Sequence, residues 1–431
     1  MKVCDSLFLS PFFTALNQAG TEYAVLRNAE TLPDSLNGGD VDILVSPKDF
    51  IAVEKILGRV AEACGGKVMA KMRVPHFIQT EMMGCVSGVW WGCCIDLFDG
   101  IYVKSALPIV GESVLRYRER TAKEIWTLHP LVGQYLGYAK ELLVNGRKSV
   151  RYKAGAKKAL QSDLDAVVSS PSMRGLIRAA LQGKVVHPHI FALKESLLFA
   201  IGHPLHLVRN YAGFVCSRIV RYIRPCGKMI AVLGTDGSGK STLLNEILPL
   251  LQTMTHKATC VHHLKPDFLP PLGRFRGVKY EPGHICTNPH GSAPSGFVGS
   301  LVRISYLSLD YILGYWLKVR LKIAKTPISY WIFDRYAYDM LIDSRRFRIR
   351  LPQWIIRMFL GVLPKPDQVI CLGGDAAKIY ARKPETSLKE VGRQVKELRN
   401  FVHENKNAVW VDTTQSVEAS VRAFLEGLMD A

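Results

Sequence analysis

The chain has no CxxC pair among its ten cysteines, and Cys93 and Cys94 are adjacent, too close to bridge each other. This usage fits a reduced, cytoplasmic protein. Met1 to Ser10 lacks a sustained apolar run and a small-residue cleavage site, which argues against a signal peptide. Long uncharged apolar runs are missing too. The most membrane-like stretch, Leu301 to Val319, contains Arg303 and Asp310 and reads as a mostly buried helix, so no transmembrane segment is expected. Acidic residues are also in short supply: 37 Asp and Glu stand against 56 Lys and Arg, a net charge of +19. Such a charge suits phosphorylated small molecules, nucleic acid or an anionic membrane surface. No nucleic-acid module accompanies it, so nucleic acid is the least expected partner. The basic residues gather at Arg209, Arg218, Arg221, Arg224 and Lys228, and again at Arg345, Arg346, Arg348 and Arg350. Each cluster is either a solvated face or an anionic-partner site.

What is present is a globular composition, 48% hydrophobic and 22% charged, in a chain of 431 residues that exceeds one ordinary core. No internal repeat is visible. The expected division is a domain over residues 1–195, a basic helical connector over 196–227 and a second domain over 228–431. The first opens with a helix from Asp5 to Gly20 and strands at Tyr23 to Leu26, Val41 to Val45 and Cys93 to Phe98. Helices follow at Leu128 to Leu143, Tyr152 to Val168 and Met173 to Leu181, and continue at Ala192 to Ile201 and Leu205 to Ile223. The second alternates strands and helices, with strands at Met229 to Leu233, Tyr330 to Phe333, Val369 to Leu372 and Ala408 to Val411. That alternation indicates a parallel sheet covered by helices.

Met229 to Leu233 runs directly into Gly234-Thr235-Asp236-Gly237-Ser238-Gly239-Lys240-Ser241-Thr242, which matches G-x-x-x-x-G-K-[ST] between a strand and a helix. In such a loop the glycines permit tight turns, and main-chain N–H groups with the helix N-terminus face phosphates. Lys240 is expected to neutralise β/γ-phosphate charge and Ser241 to reach Mg²⁺. Downstream, Asp334-Arg335-Tyr336 closes a strand at its carboxyl end, where parallel α/β sheets bind ligands. Asp334 is a candidate for Mg²⁺ and Arg335 for an acceptor phosphate.

With Pro366-Asp367 and Val411-Asp412, these landmarks make residues 228–431 resemble the thymidylate kinase family. The resemblance implies a three-layer P-loop kinase fold using ATP and Mg²⁺. It places Asp236 toward an acceptor nucleoside, Arg335 on the acceptor phosphate, and Arg382 and Lys383 in a mobile lid, with Arg393 a further lid candidate. Tyr311 stands where the family keeps a base-reading arginine, so the acceptor is expected to be a small phosphorylated molecule with weaker discrimination for thymine. Nucleoside monophosphates, dTMP among them, are the leading class. His262, His263, His284 and His290, with Cys260 and Cys286, match no zinc-ligand spacing and read as ordinary loop and strand residues.

In the first domain, Gly39-Asp40-Val41-Asp42 places two carboxylates on one face of a strand, and Asp96 lies in another strand. Three such acids suit one or two Mg²⁺ ions around a nucleoside triphosphate. Residues 20–100 resemble the nucleotidyltransferase superfamily, an α/β fold with the following helices as companion. Arg27-Asn28 replaces the Gly-Ser pair of that superfamily, so a catalytic domain and a retained fold with a binding role both stay open. The leading expectation is an ATP-dependent phosphotransferase. The alternatives are a nucleotide-gated regulatory protein or a bifunctional kinase and nucleotidyltransferase in surface-sugar metabolism. The oligomeric state is open, a homodimer included.

Overall fold

The computed structural model describes residues 1–36, 39–103, 107–270, 293–325 and 329–430. They divide into two compact units, Lys2–Arg224 and Pro225–Ala431 with Met1. In the first, α1 (Ser6–Gln18), β1 (Tyr23–Val25), β2 (Val41–Val45) and α2 (Phe50–Ala63) lead into an antiparallel meander of β3 (Gly66–Val74), β4 (Phe77–Val86) and β5 (Val89–Phe98). The hairpin β6 (Ile101–Val103) and β7 (Leu107–Val110) and the pair β8 (Arg118–Arg120) and β9 (Trp126–Leu128) follow. Five helices complete the unit: α3 (Pro130–Leu143), α4 (Val150–Gln161), α5 (Pro171–Leu181), α6 (Pro188–Gly202) and α7 (Pro204–Ile223).

The main sheet of this unit is mixed, in the order β3-β4-β5-β2-β1-β9-β8. Alternation along β2 decides its two faces. Val41, Ile43 and Val45 enter a core with Phe8 and Phe12 of α1 and Val53 and Leu57 of α2. Leu44 joins Val132 and Leu136 of α3 on the opposite side. Asp42, two residues before Leu44, therefore shares the α3 face, and β2 pairs in parallel with β5 so that Asp42 lies opposite Asp96.

The second unit begins with β10 (Lys228–Gly234), α8 (Lys240–Met254) and β11 (Cys260–His263). Then come α9 (Phe297–Gly314), a π-helical turn over Tyr315–Val319, α10 (Arg320–Lys325), β12 (Tyr330–Asp334), α11 (Asp339–Ile342) and α12 (Gln353–Gly361). The chain closes with β13 (Gln368–Gly373), α13 (Ala376–Arg382), α14 (Leu388–Glu404), β14 (Ala408–Asp412) and α15 (Val417–Asp430). Its sheet is parallel throughout, in the order β11-β12-β10-β13-β14. Met229, Ala231 and Leu233 of β10 pack with Ile304 and Tyr311 of α9 and Leu398 and Phe401 of α14. α8 and α15 pack together and onto β10 and β14. The central strand is thus apolar on both faces, as a strand between helical layers must be.

One expectation is corrected. Phe297–Ala324 is the one helical stretch among the described residues long and apolar enough to cross a membrane, and only 33% of its most apolar window is buried. Val298, Val302 and Trp316 are exposed rather than packed.

Candidate active site

β10 delivers the phosphate-loop sequence to the carboxyl edge of the parallel sheet. Gly237 and Gly239 have φ of +81° and +80°, a region costly for other residues, and Gly239 immediately precedes α8. Lys240, the first residue of α8, folds back over the loop and donates to the carbonyls of Gly234 at 2.8 Å and Thr235 at 2.9 Å. Burial, helped by the charge of Arg335, pushes its pKa down to about 8. Thr235 Oγ1 and Ser238 Oγ are buried without a hydrogen-bond partner among the described residues. Ser241 and Thr242 are exposed at the start of α8. A loop with positive-φ glycines, orphaned hydroxyls and a lysine resting on its own carbonyls has the chemistry of a phosphate cradle.

Asp334 ends β12, opposite Val232 of β10 on one side and His263 of β11 on the other. Burial would raise its pKa, but His263, 3.7 Å away, and the charge of Lys240 outweigh burial and hold it below the ordinary carboxylate range. Its Oδ1 is buried with no hydrogen-bond partner among the described residues. An ionised carboxylate with a spare oxygen, near the hydroxyl-bearing start of α8, is the hard donor set that Mg²⁺ takes.

Arg335 follows with φ of +76°, its amide donating to the Val232 carbonyl at 2.9 Å. Its buried guanidinium bonds Asp236 and lies 3.5 Å from Asp339. Asp236 also receives Arg346 at 2.5 Å. Burial pushes the pKa of Asp236 up, yet Arg335 and Arg346 carry it below its usual value. Asp339, wholly buried, is instead pushed up by burial, which Arg335 only partly offsets. Four groups from the loop, β12, α11 and the segment after it thus meet at one strand end.

The first unit holds a second ionic cluster. Asp40, Asp42 and Asp96 are buried, with one carboxylate oxygen of each within 4.8 Å of the others. Arg27 reaches across them, 3.2 Å from Asp40 and in direct contact with Asp42. Burial pushes Asp42 up despite Arg27, and carries Asp96 to about 7 with help from Asp42. Glu81, opposite Cys94 across the β4–β5 ladder, is pushed well up by burial and by Asp96. Beside Arg27 opens a cleft of about 430 Å³, lined in part by Asn28, Gln134, Arg151 and Tyr152. These acids are grouped as a metal site would need, and one guanidinium, that of Arg27, contacts two of the three.

No family model matches this chain, and no curated protein does. Among solved structures, thymidylate kinase from Ehrlichia chaffeensis is similar over 46% of this chain and 97% of its own length, at 12% identity and a TM-score of 0.32. A likeness at that level assigns no activity.

The structure sorts the remaining candidates. Arg382 is exposed at the end of α13, and Lys383, next to it, pairs with Glu385 at 2.9 Å. The end of α13 nevertheless borders the phosphate loop, because a Cβ on Gly237 would lie 2.7 Å from the Ile379 carbonyl and 3.1 Å from Lys383 Cβ. Arg393, the further lid candidate, pairs with Glu390 on its own helix and donates to the Ile342 carbonyl at 2.7 Å. Tyr311 is corrected as an acceptor-facing residue. It is 1% exposed, bonds the Leu264 carbonyl through its hydroxyl and meets Tyr336 edge-on. Its neighbour Asp310 is spent on Lys265 and on the amides of Phe268 and Leu269. His262 stacks on Trp331 at 4.4 Å, while His284, Cys286 and His290 lie outside the described residues. Arg346 is the functional candidate that sequence reasoning missed as an individual. It was one of four arginines in a basic cluster, and only the fold singles it out against Asp236.

Proposed function

We propose that the Pro225–Ala431 unit transfers the γ-phosphoryl group of ATP to a small phosphorylated acceptor, with nucleoside monophosphates, dTMP included, as the leading class. The observation that carries this reading is the convergence of Lys240, Asp334 and the Asp236–Arg335–Arg346 group at one edge of a parallel sheet. The loop amides and Lys240 bind the triphosphate. On that event Lys240 exchanges two carbonyl oxygens for phosphate oxygens, whose negative charge favours the ammonium form that burial disfavours. Asp334 and the Ser241 hydroxyl would hold Mg²⁺, which would supply neutralisation of phosphate charge.

Arg335 and Arg346 take the acceptor phosphate. Both are held in the free protein by one carboxylate, Asp236, and an incoming dianion competes for them while Asp236 turns to a donor on the acceptor. Catalysis in such a site is largely positioning and electrostatic stabilisation, with Arg382 at the end of α13 available to the transferring group. Labelled ATP offered with a panel of nucleoside monophosphates and sugar phosphates tests the proposal. Transfer of label to at least one acceptor, lost in Asp334→Asn, is expected. ATP binding without transfer to any acceptor would replace this reading with a nucleotide-gated regulatory one.

A further inference from the structure

α7 is mounted inside out. The face it turns toward its own unit is carried by polar groups: Asn210, 2% exposed, donates to His76 at 2.8 Å, and the other ring nitrogen of His76 donates to Asp99 at 2.9 Å. Ser217 donates to the Arg73 carbonyl at 2.9 Å, and Arg221, also buried, reaches the sulfur of Met72 at 3.2 Å. Its aliphatic residues lie on the other side. Leu205, Val208, Val215 and Ile219 follow the helical period on one stripe and are 85%, 65%, 38% and 54% exposed. α6 adds Leu197 and Ile201 at 60% and 81%. A helix that spends its polar groups on its own protein and offers its aliphatic side outward has the opposite polarity to one stabilised by its own core.

Along α7 the charge has one sign. From Ser196 to Thr235 the chain contains no aspartate or glutamate. Arg209, Arg218 and Arg224 are exposed along α7 and just beyond it. Arg218 lies flat over Phe214, 4.9 Å from the ring centre, with no carboxylate beside it on the helix.

We propose that α6 and α7 form a docking surface for an anionic lipid bilayer. The aliphatic stripe enters the boundary between headgroups and acyl chains, and the arginines meet lipid phosphates and carboxylates. The choice of lipid over a protein partner rests on that charge. An aliphatic stripe bordered along α7 only by cations, with Glu195 of α6 engaged by Ser172, complements a surface that is apolar beneath and anionic above, which is how interfacial amphipathic helices bind. The inference does not depend on the phosphotransfer reading, since no residue of the phosphate loop takes part.

The test is co-sedimentation of the full chain with phosphatidylcholine vesicles, alone or mixed with phosphatidylserine. Binding to the anionic vesicles at least about tenfold tighter than to the neutral ones, and weakened by salt, is expected. The double variant Val208→Asp with Ile219→Asp, both positions exposed, should lose it. Arg209→Gln with Arg218→Gln should fall to the neutral-vesicle level. Circular dichroism and ATP binding should be unchanged in all variants. Equal affinity for neutral and anionic vesicles, or none for either, overturns the proposal. So does an aspartate variant that keeps vesicle binding while a parent oligomer dissociates in sedimentation velocity, which would assign the stripe to contacts between copies.

Discussion

Arginine meets aspartate at two strand ends in this protein, with opposite results. At the end of β12, two arginines share Asp236, and both Asp236 and Asp334 are held below the ordinary carboxylate range. Around them, the hydroxyls of Thr235 and Ser238 and one oxygen of Asp334 have no hydrogen-bond partner among the described residues. At the β2–β5 junction a single arginine serves Asp40 and Asp42, while Asp42 and Asp96 are pushed upward by burial. The first arrangement keeps Asp236 and Asp334 ionised and leaves polar atoms open for a ligand. The second sets one guanidinium against three buried aspartates, and Oε2 of the neighbouring Glu81 has no hydrogen-bond partner among the described residues. Grouped acids alone do not distinguish a metal site from an internal ion pair, and the neighbouring cation is the group whose removal separates the two.

Three substitutions bear on that contrast most directly. Lys240→Ala should have the largest effect, on the order of 10²–10³ in phosphoryl transfer with the fold retained, because it removes a preorganised cation from the phosphate site. Single-turnover transfer of labelled phosphate within threefold of the parent would remove the first half of the comparison. Arg27→Ala should destabilise the N-terminal unit by about 1–3 kcal/mol. The figure lies below that for a fully buried pair, because the Arg27 side chain is 38% exposed. Hydrogen exchange of the β2 and β5 amides measures the loss, and added Mn²⁺ should restore protection in the variant and do nothing to the parent. Mn²⁺ protecting both equally would show that Arg27 does not close the acid cluster. Arg346→Ala should raise KM for the acceptor by about tenfold, as loss of one charge-assisted contact implies, with a smaller change in kcat. Equal falls in kcat and kcat/KM would place Arg346 at the transferring phosphoryl group instead.

The smallest expected change is that of Tyr311→Phe. Loss of its hydroxyl bond should cost about 1 kcal/mol of stability and leave the ranking of acceptors untouched. A reordered acceptor ranking would return Tyr311 to the substrate side and undo its assignment to the core.

Motifs confined to a few consecutive residues were readable from sequence, and constellations assembled by the fold were not. Met229 to Thr242 carries its strand, loop and helix start in one run, so Lys240 and Ser241 could be placed directly. Period two likewise put Asp40 and Asp42 on one face, and a third acid in a strand completed the cluster. Ser46 to Gly92 hides a helix and two strands. β4 buries Gln79, Thr80 and Glu81 in succession, which erases the apolar alternation of a strand. Arg346 met Asp236 across more than a hundred residues, beyond any local signal. Tyr311 misled for a related reason: alignment by position assigns a role, but Tyr311 and its neighbour Asp310 are engaged internally by the Leu264 carbonyl and the Lys265 ammonium.

Gly237 has a mechanical consequence. With no side chain there, the crest of the phosphate loop rests almost directly on the Ile379 carbonyl and the backbone approaching Lys383. Loop and helix end behave as parts of one bearing, so a displacement of α13 shifts the surface that receives the triphosphate. On the proposed function, a missing methyl group would gear nucleotide entry to the posture of the segment bearing Arg382.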